Sequence, residues 1–137
     1  VFLMPVELQM VIRILAAAGM GAVIGYEREK SRKPAGLRTH ILIAVGAALF
    51  TVASVYGFGP TGDISRVAAG VVAGIGFIGA GAIIHRGGGD IVEGLTTAAT
   101  IWAVAAVGLA AGAGLYPVAG ATTGITLAIL LLPRHIR

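Results

Sequence analysis

Residues 67–84 form an unbroken apolar run, VAAGVVAGIGFIGAGAII, in which five of the eighteen residues are glycine and none is polar or charged. A helix of this length rises about 1.5 Å per residue, so it nearly crosses a hydrocarbon core of about 30 Å. In water each glycine would cost such a helix roughly 1 kcal/mol relative to alanine. In lipid the backbone has no water with which to exchange its hydrogen bonds, so the helix persists and the glycines become contact surfaces. The run therefore indicates a membrane protein.

The rest of the chain has the same character. Hydrophobic residues make up 57% of it and charged residues 12%, about half of the roughly 25% typical of soluble domains. The uncharged stretch 94–133 is twice the length of a membrane crossing, so we divide it near Gly112 into two spans. The predicted fold is an all-α integral membrane bundle of about five transmembrane helices, in a single domain 1–137 with no C-terminal soluble domain. The expected spans are about 8–26, 41–59, 66–84, 95–111 and 115–132.

The basic residues predict the orientation of these spans. Eight of the ten Lys and Arg residues lie in the loop 27–40, the loop 84–94 or the C-terminal tail, which share one side of a five-span bundle. The positive-inside rule then places the N-terminus outside and the C-terminus in the cytoplasm. Because topology accounts for the net charge of +4, we expect no nucleic-acid partner.

Small residues recur at the four-residue spacing that lets membrane helices approach closely. In the third span, Gly70, Gly74 and Gly81 share one face, and Gly76 shares another with Ala80 and the nearby Ala73. A helix with small residues on two faces is expected at the centre of the bundle, between neighbouring helices. The alternative role for this span is a hinge or a pore-lining helix. The glycines expected to pack helices are Gly21, Gly25, Gly70, Gly74, Gly76, Gly79 and Gly81.

Residues 74–79 also satisfy the G-x-G-x-x-G pattern of dinucleotide-binding enzymes. That pattern needs a tight turn between a strand and a helix, and here it lies within one apolar run. A soluble dehydrogenase is therefore not favoured. The sequence has no cysteine and no catalytic arrangement of Ser, His and Asp, so we expect a non-enzymatic protein without a cofactor.

Several charged residues near the predicted outer surface require partners. Arg13 lies inside the first span and is expected either to anchor the interface or to form an ion or proton site, with Glu7 and Asp63 as candidate partners. Asp63 or Ser65 is expected to cap the third helix, and Asp63 can pair with Arg66.

The predicted cytoplasmic loops carry most of the other polar residues. Glu27, Glu29, Arg38 and His40 form either a polar cluster at the mouth of the bundle or part of a solvated loop that sets orientation. Carboxylate oxygens are ligands that Mg²⁺ prefers. The candidates for a metal site are Glu27, Glu29, Asp90 and Glu93.

Taken together, these segments resemble the membrane domain of the MgtC/SapB family, and the resemblance covers most of the chain. The matching segments are GAVIGYERE (21–29), PAGLRTH (34–40), DISRVAAGVVAGIGFIGAGAI (63–83) and VEGLTTAATIWAVAAVG (92–108). Longer members carry a soluble domain after the fifth span, so the short SapB-like form is the closer comparison.

The resemblance implies a bacterial inner-membrane protein with a regulatory or partner-binding role, linked to adaptation to low magnesium, to virulence and to control of the ATP synthase. The implied partners are the lipid bilayer, a second copy in a homodimer or other homo-oligomer, and a membrane complex such as ATP synthase. The alternative is a transporter or channel for Mg²⁺ or another cation. The motif residues carried over by position are Glu27, Arg28, Glu29, Pro34, Gly36, Arg38, Thr39, His40, Asp63, Arg66, Glu93, Thr96 and Thr97.

Overall fold

The computed structural model describes residues 4–86 and 91–133, with side chains described outside 84–86 and 91–93. Three of the helices in this part are long and apolar enough to cross a membrane, and two further apolar helices are shorter. The predicted bundle of membrane helices is thus confirmed. The elements are α1 (Val6–Lys30), α2 (Leu37–Tyr56), α3 (Ser65–Gly81), β1 (Ile84–Arg86), β2 (Ile91–Glu93), α4 (Leu95–Gly112) and α5 (Tyr116–Leu130).

The long uncharged stretch divides at the glycines that suggested the break. Gly114 has a φ of +83°, which glycine adopts without a side-chain clash. The N–H of Leu115 donates to the carbonyl of Ala110 at 2.9 Å, so α4 ends in a Schellman-type turn. Pro117 lies in the first turn of α5, where its missing N–H has no helical partner to lose.

Two features of the connections differ from the expectations. The short strands β1 and β2 lie between α3 and α4 and pair antiparallel, with Ile84 opposite Glu93, where the sequence predicts a loop. In addition, α2 begins at Leu37, so Arg38 and His40 lie in its first turn rather than before it.

The core consists of α1, α2 and α4, which approach one another through glycine. A Cβ added at Gly21 of α1 would lie 2.8 Å from the carbonyl oxygen of His40 in α2. A Cβ added at Gly112 of α4 would lie 2.9 Å from the Cα of Ala48 in α2. Because such distances leave no room for a side chain, backbone packs on backbone at these crossings, and dispersion contacts replace the hydrophobic effect that lipid cannot supply.

The central helix is α4, which packs against each of the four other helices. The expected central position of α3 is therefore wrong. In α3, a Cβ added at Gly79 would be 3.6 Å from the carbonyl oxygen of Ala98, an ordinary contact. The other glycines of α3 have open space where a side chain would be, and they are Gly70, Gly74, Gly76 and Gly81. Glycine content shows that a helix can be approached closely, but it does not identify the neighbour.

Candidate functional site

The carboxylate of Glu29 caps the N-terminus of α2. Its Oε1 accepts the backbone N–H of Leu37 at 2.9 Å, which satisfies one of the amides left free at the start of a helix. Gly36 immediately precedes the helix, and a Cβ at that position would collide with the Glu29 carboxylate. The pair explains why this turn combines an acid at the end of α1 with a glycine before α2.

His40 lies one turn further into α2 and is fully buried. Its Nδ1 lies 2.8 Å from the carbonyl oxygen of Gly36. A carbonyl can only accept a hydrogen bond, so Nδ1 carries the proton, and in the neutral ring Nε2 is left as an acceptor. Nε2 is buried and has no hydrogen-bond partner among the described residues.

Arg28 is the other buried ionisable residue at this end of the bundle, at 3% exposure. Its Nη1 lies 3.5 Å from Oε2 of Glu27, a long contact, and the second oxygen of Glu27 accepts the hydroxyl of Ser31 at 2.9 Å. The Nε of Arg28 is buried without a partner in the described part of the chain. The guanidinium is therefore only partly satisfied, which is unusual for a buried charge.

Thr97 of α4 is buried, and helical geometry places it at about the same level of the bundle as Arg28. Arg13 of α1 contacts Gly112 of α4, and α1 runs antiparallel to α4. Arg13 and Arg28 are fifteen residues apart, as are Thr97 and Gly112, so equal helical rise brings Thr97 level with Arg28. We call the residues at this level of the bundle the loop-end cluster, which consists of Glu27, Arg28, Glu29, Gly36, His40 and Thr97.

Other threonines line a groove of about 410 Å³ between α4 and α5. Thr96 is exposed there, and the hydroxyl of Thr100 donates to the carbonyl of Thr96 at 2.7 Å. Thr126 of α5 lines the same groove. The bond of the Thr100 hydroxyl stays within its own helix, as is common for threonine in membrane helices.

At the opposite end of the core, Arg13 connects α1 to α4 and α2. Its Nη1 donates to the carbonyl oxygen of Gly112 at 3.0 Å, and its guanidinium carbon lies 5.2 Å from the centroid of the Tyr56 ring. The cation thus meets the negative end of α4 and an aromatic face of α2. It pairs with neither Glu7 nor Asp63 in the described structure, because a helix-terminal carbonyl supplies the negative partner.

Asp63 is placed at the start of α3. Its Oδ1 accepts both the backbone N–H of Ser65 at 3.0 Å and the Ser65 hydroxyl at 2.7 Å. The hydroxyl of Ser54 in α2 donates to the carbonyl of Ile64 at 2.8 Å and ties this turn to the core. No ion pair joins Asp63 to Arg66 within the described residues.

The remaining candidates are not brought into the loop-end cluster. Pro34, Arg38 and Thr39 are exposed on the α1–α2 connection and the first turn of α2. Asp90 and the side chain of Glu93 lie outside the described residues. Across residues 4–86 and 91–133, no three His, Cys, Asp or Glu side chains with a described position come close enough together to hold a metal ion.

Sequence reasoning did not find some of the partners at the outer end. Tyr56 could have been suggested by its position near the end of an apolar span, where aromatic residues concentrate. The carbonyl of Gly112 leaves no signal in a sequence, since every residue carries one. The complete burial of His40 was also unexpected, because the sequence placed this residue at the membrane surface.

The fold and these two polar ends define an α-helical membrane protein whose polar groups fasten helix termini around a glycine-packed core. Comparison with known proteins is more specific, since the model of the MgtC family matches residues 14–137. The chain therefore belongs to the MgtC family.

Its relatives carry several names. It is 45% identical over 129 residues to "Putative magnesium transporter YhiD" of Escherichia coli (strain K12), covering 89% of this chain and 59% of that protein. It is 48% identical over 117 residues to "Protein MgtC" of Brucella abortus (strain 2308), covering 85% of this chain and 48% of that protein. It is 43% identical over 129 residues to "Protein SrpB" of Synechococcus elongatus, covering 86% of this chain and 71% of that protein. No solved structure matches the chain.

The chain thus spans about half to three-fifths of the length of YhiD and of the Brucella protein. The matched part corresponds to the helical bundle described above.

Proposed function

We propose that this chain is a non-enzymatic, multi-pass protein of the bacterial inner membrane that acts by associating with other membrane proteins, and first with a second copy of itself. The observation that supports the proposal is a stripe of small, exposed residues on the outward face of α3. Ala73, Gly76 and Ala80 lie along this face, and all three are exposed.

The same kind of surface already packs helices inside the chain. Gly25 of α1 and Gly108 of α4 allow the backbone of α2 to come into contact. The face defined by Ala73, Gly76 and Ala80 has comparable small residues, but nothing lies within 4 Å of a Cβ added at Gly76. In lipid, stripes of small residues favour association because the partner backbone can approach closely. A second α3 in another copy would complete this contact.

We further propose that the N-terminus lies outside the cell and the C-terminus in the cytoplasm. This orientation puts the loop-end cluster on the cytoplasmic side, together with the basic residues of the α1–α2 connection. Exposed cations there, including Arg32 and Arg38, follow the positive-inside rule and contact anionic headgroups.

At the level of physiology, we propose a regulatory role in adaptation to low magnesium and in virulence, through control of a membrane complex such as the ATP synthase. Membership of the MgtC family and the relative named MgtC support this role. The chain covers 48% of that relative, so the activity of the longer protein is extended here to the helical bundle only as a proposal.

The second candidate function is transport of Mg²⁺ or another cation. It is favoured by the printed name of the relative YhiD, which describes a magnesium transporter. The interior between the two polar ends supplies few polar groups, since the buried residues near the middle of the core include Ala44, Val104 and Val107. We therefore rank transport second.

The association is tested by measuring the mass of the full chain in lipid nanodiscs or by native mass spectrometry. We expect an oligomer for the wild type and a monomer for Ala73→Leu combined with Gly76→Leu. Ala128→Leu is the matched control, because Ala128 is exposed on α5, away from α3. A monomeric wild type, or an oligomer that survives the α3 changes, contradicts the proposal.

Transport is tested separately in proteoliposomes. If magnesium flux appears with the purified wild type and is lost in Glu27→Gln or Asp63→Asn, the second candidate replaces the first. If no flux exceeds that of protein-free vesicles, the association model stands on the oligomer measurement alone.

A further inference from the structure

An apolar groove of about 610 Å³ separates α2 from α3. Its volume falls within the range of roughly 300–1,000 Å³ typical of ligand pockets. The walls consist of Leu42, Ile43, Gly46, Ala47, Phe50, Val67, Gly70, Val71, Gly74, Ile75, Ile78 and Ala105.

The groove exists because glycines face it from both sides. Gly46 of α2, and Gly70 and Gly74 of α3, all have open space where a Cβ would be. A larger side chain at any of these positions would occupy the groove without striking the backbone. The groove is distinct from the outward face with Ala73 and Gly76, which lies on another side of α3.

A cation and a hydroxyl lie one helical turn beyond one end of the groove. Arg38 lies one turn before Leu42, and Thr39 lies one turn before Ile43, both of which line the groove. Arg38 and Thr39 are exposed in the first turn of α2, where the helix enters the membrane. A guanidinium forms paired hydrogen bonds with phosphate oxygens, and a threonine hydroxyl can donate one more.

The length of the groove matches one leaflet. Leu42 and Phe50 mark its ends on α2 and are eight residues apart, which corresponds to about 12 Å of helix. Half of the hydrocarbon core is about 15 Å. On the α3 wall, the lining residues run from Val67 to Ile78, which corresponds to about 16 Å of helix.

We propose that this groove binds a phospholipid, with an acyl chain between α2 and α3 and the phosphate held by Arg38 and Thr39. In the orientation proposed above, the lipid comes from the cytoplasmic leaflet. The positive charge of Arg38 complements an anionic headgroup. The glycines leave an apolar space that an acyl chain can fill, and an acyl chain requires no hydrogen bonds. This inference does not depend on association through the outward face of α3.

The experiment uses the full chain reconstituted in vesicles of phosphatidylethanolamine and phosphatidylglycerol in equal amounts, extracted gently and analysed by native mass spectrometry. We expect the wild type to retain phospholipid after delipidation steps that strip bulk lipid. Gly46→Leu and Gly70→Leu fill the groove from opposite walls, and we expect each to lower the retained lipid per chain by about fivefold or more, because the leucine side chain displaces buried acyl methylenes. Arg38→Gln is expected to lower retention by about fivefold as well.

Two controls match these variants. Gly120→Leu places the same side chain on α5, at a glycine that also has open space around it. Lys30→Gln removes an exposed cation at the end of α1, a helix that does not line the groove. Both are expected to retain lipid as the wild type does, and helix content from circular dichroism verifies that each variant is folded.

Three results would overturn the proposal. The first is a wild type that retains no phospholipid. The second is unchanged retention in folded Gly46→Leu or Gly70→Leu. The third is loss of an oligomer rather than of lipid in these variants, which would assign the groove to a second copy. Loss of the oligomer in the Ala73 and Gly76 variants with lipid retained would leave this inference intact.

Discussion

The guanidinium of Arg13 donates a hydrogen bond to the backbone carbonyl of Gly112, 99 residues further along the chain. This contact joins the first and fourth helices at the end of the bundle opposite the loop-end cluster. It also places a positive charge at the C-terminus of α4, where the helix dipole is negative and the last carbonyls have no helical partner.

We expect Arg13→Leu to lower the free energy of unfolding by about 1–3 kcal/mol, because Gly112 loses a charged donor and Tyr56 loses its cation. Arg13→Lys should have an intermediate effect, since an ammonium keeps the charge but not the planar fork. The measurement is unfolding of the purified protein in mixed micelles titrated with a denaturing detergent.

Arg66→Leu is the control for these variants, because Arg66 is exposed and forms no ion pair within the described residues. An equal loss of stability in Arg66→Leu and Arg13→Leu would show that general surface charge, rather than the contact with Gly112, is responsible.

This contact shows where sequence reasoning succeeds and where it stops. The sequence identified Arg13 as a charge that needs a partner, because a cation inside an apolar span is costly. It proposed acidic residues, since only charges are visible in a sequence. The true acceptor is a main-chain group whose availability depends on α4 ending beside α1.

The glycines give the same lesson at the level of packing. Gly21 and Gly25 were expected to pack helices, and their added Cβ atoms would meet α2 at 2.8 and 2.9 Å. Gly70 and Gly74 follow the same spacing but border an open groove. Spacing specifies a surface that permits close approach, whereas tertiary structure decides whether another helix uses it.

The two classes of glycine are expected to respond differently to substitution. In Gly108→Ala the new methyl group would collide with the backbone of Ala44, so α4 and α2 must separate. We expect a loss of about 1–3 kcal/mol in the free energy of unfolding. Gly120→Ala places a methyl group in open space and should be neutral or stabilising by up to about 1 kcal/mol.

Both alanine variants are measured by the same micelle titration. If Gly108→Ala unfolds at the same detergent composition as Gly120→Ala, the close crossing of α4 and α2 is not part of the folded protein.

The turn between α1 and α2 depends on Glu29 and Gly36 together. Glu29→Ala removes the acceptor for the N–H of Leu37, and we expect a loss of about 1 kcal/mol, typical of a helix cap. Gly36→Ala should cost a similar amount, because its methyl group displaces the Glu29 carboxylate.

The double variant distinguishes one shared interaction from two separate ones. If the carboxylate and the glycine act as a unit, the losses in Glu29→Ala and Gly36→Ala will be less than additive when combined. Glu7→Ala serves as the control, since Glu7 is an exposed acid at the far end of α1. Strict additivity would contradict the assigned contact.

The structure predicts which ring nitrogen of His40 carries the proton. Nδ1 donates to the carbonyl of Gly36, so the neutral imidazole carries its proton on Nδ1 and presents an unprotonated Nε2 to the interior. The measurement is the ¹⁵N spectrum of the protein in mildly alkaline buffer, with His40→Gln used to assign the signals. Free histidine in the same buffer is the reference, because it exchanges between tautomers. A ring protonated on Nε2 would require the hydrogen bond from Nδ1 to Gly36 to be absent, and would contradict the assigned contact.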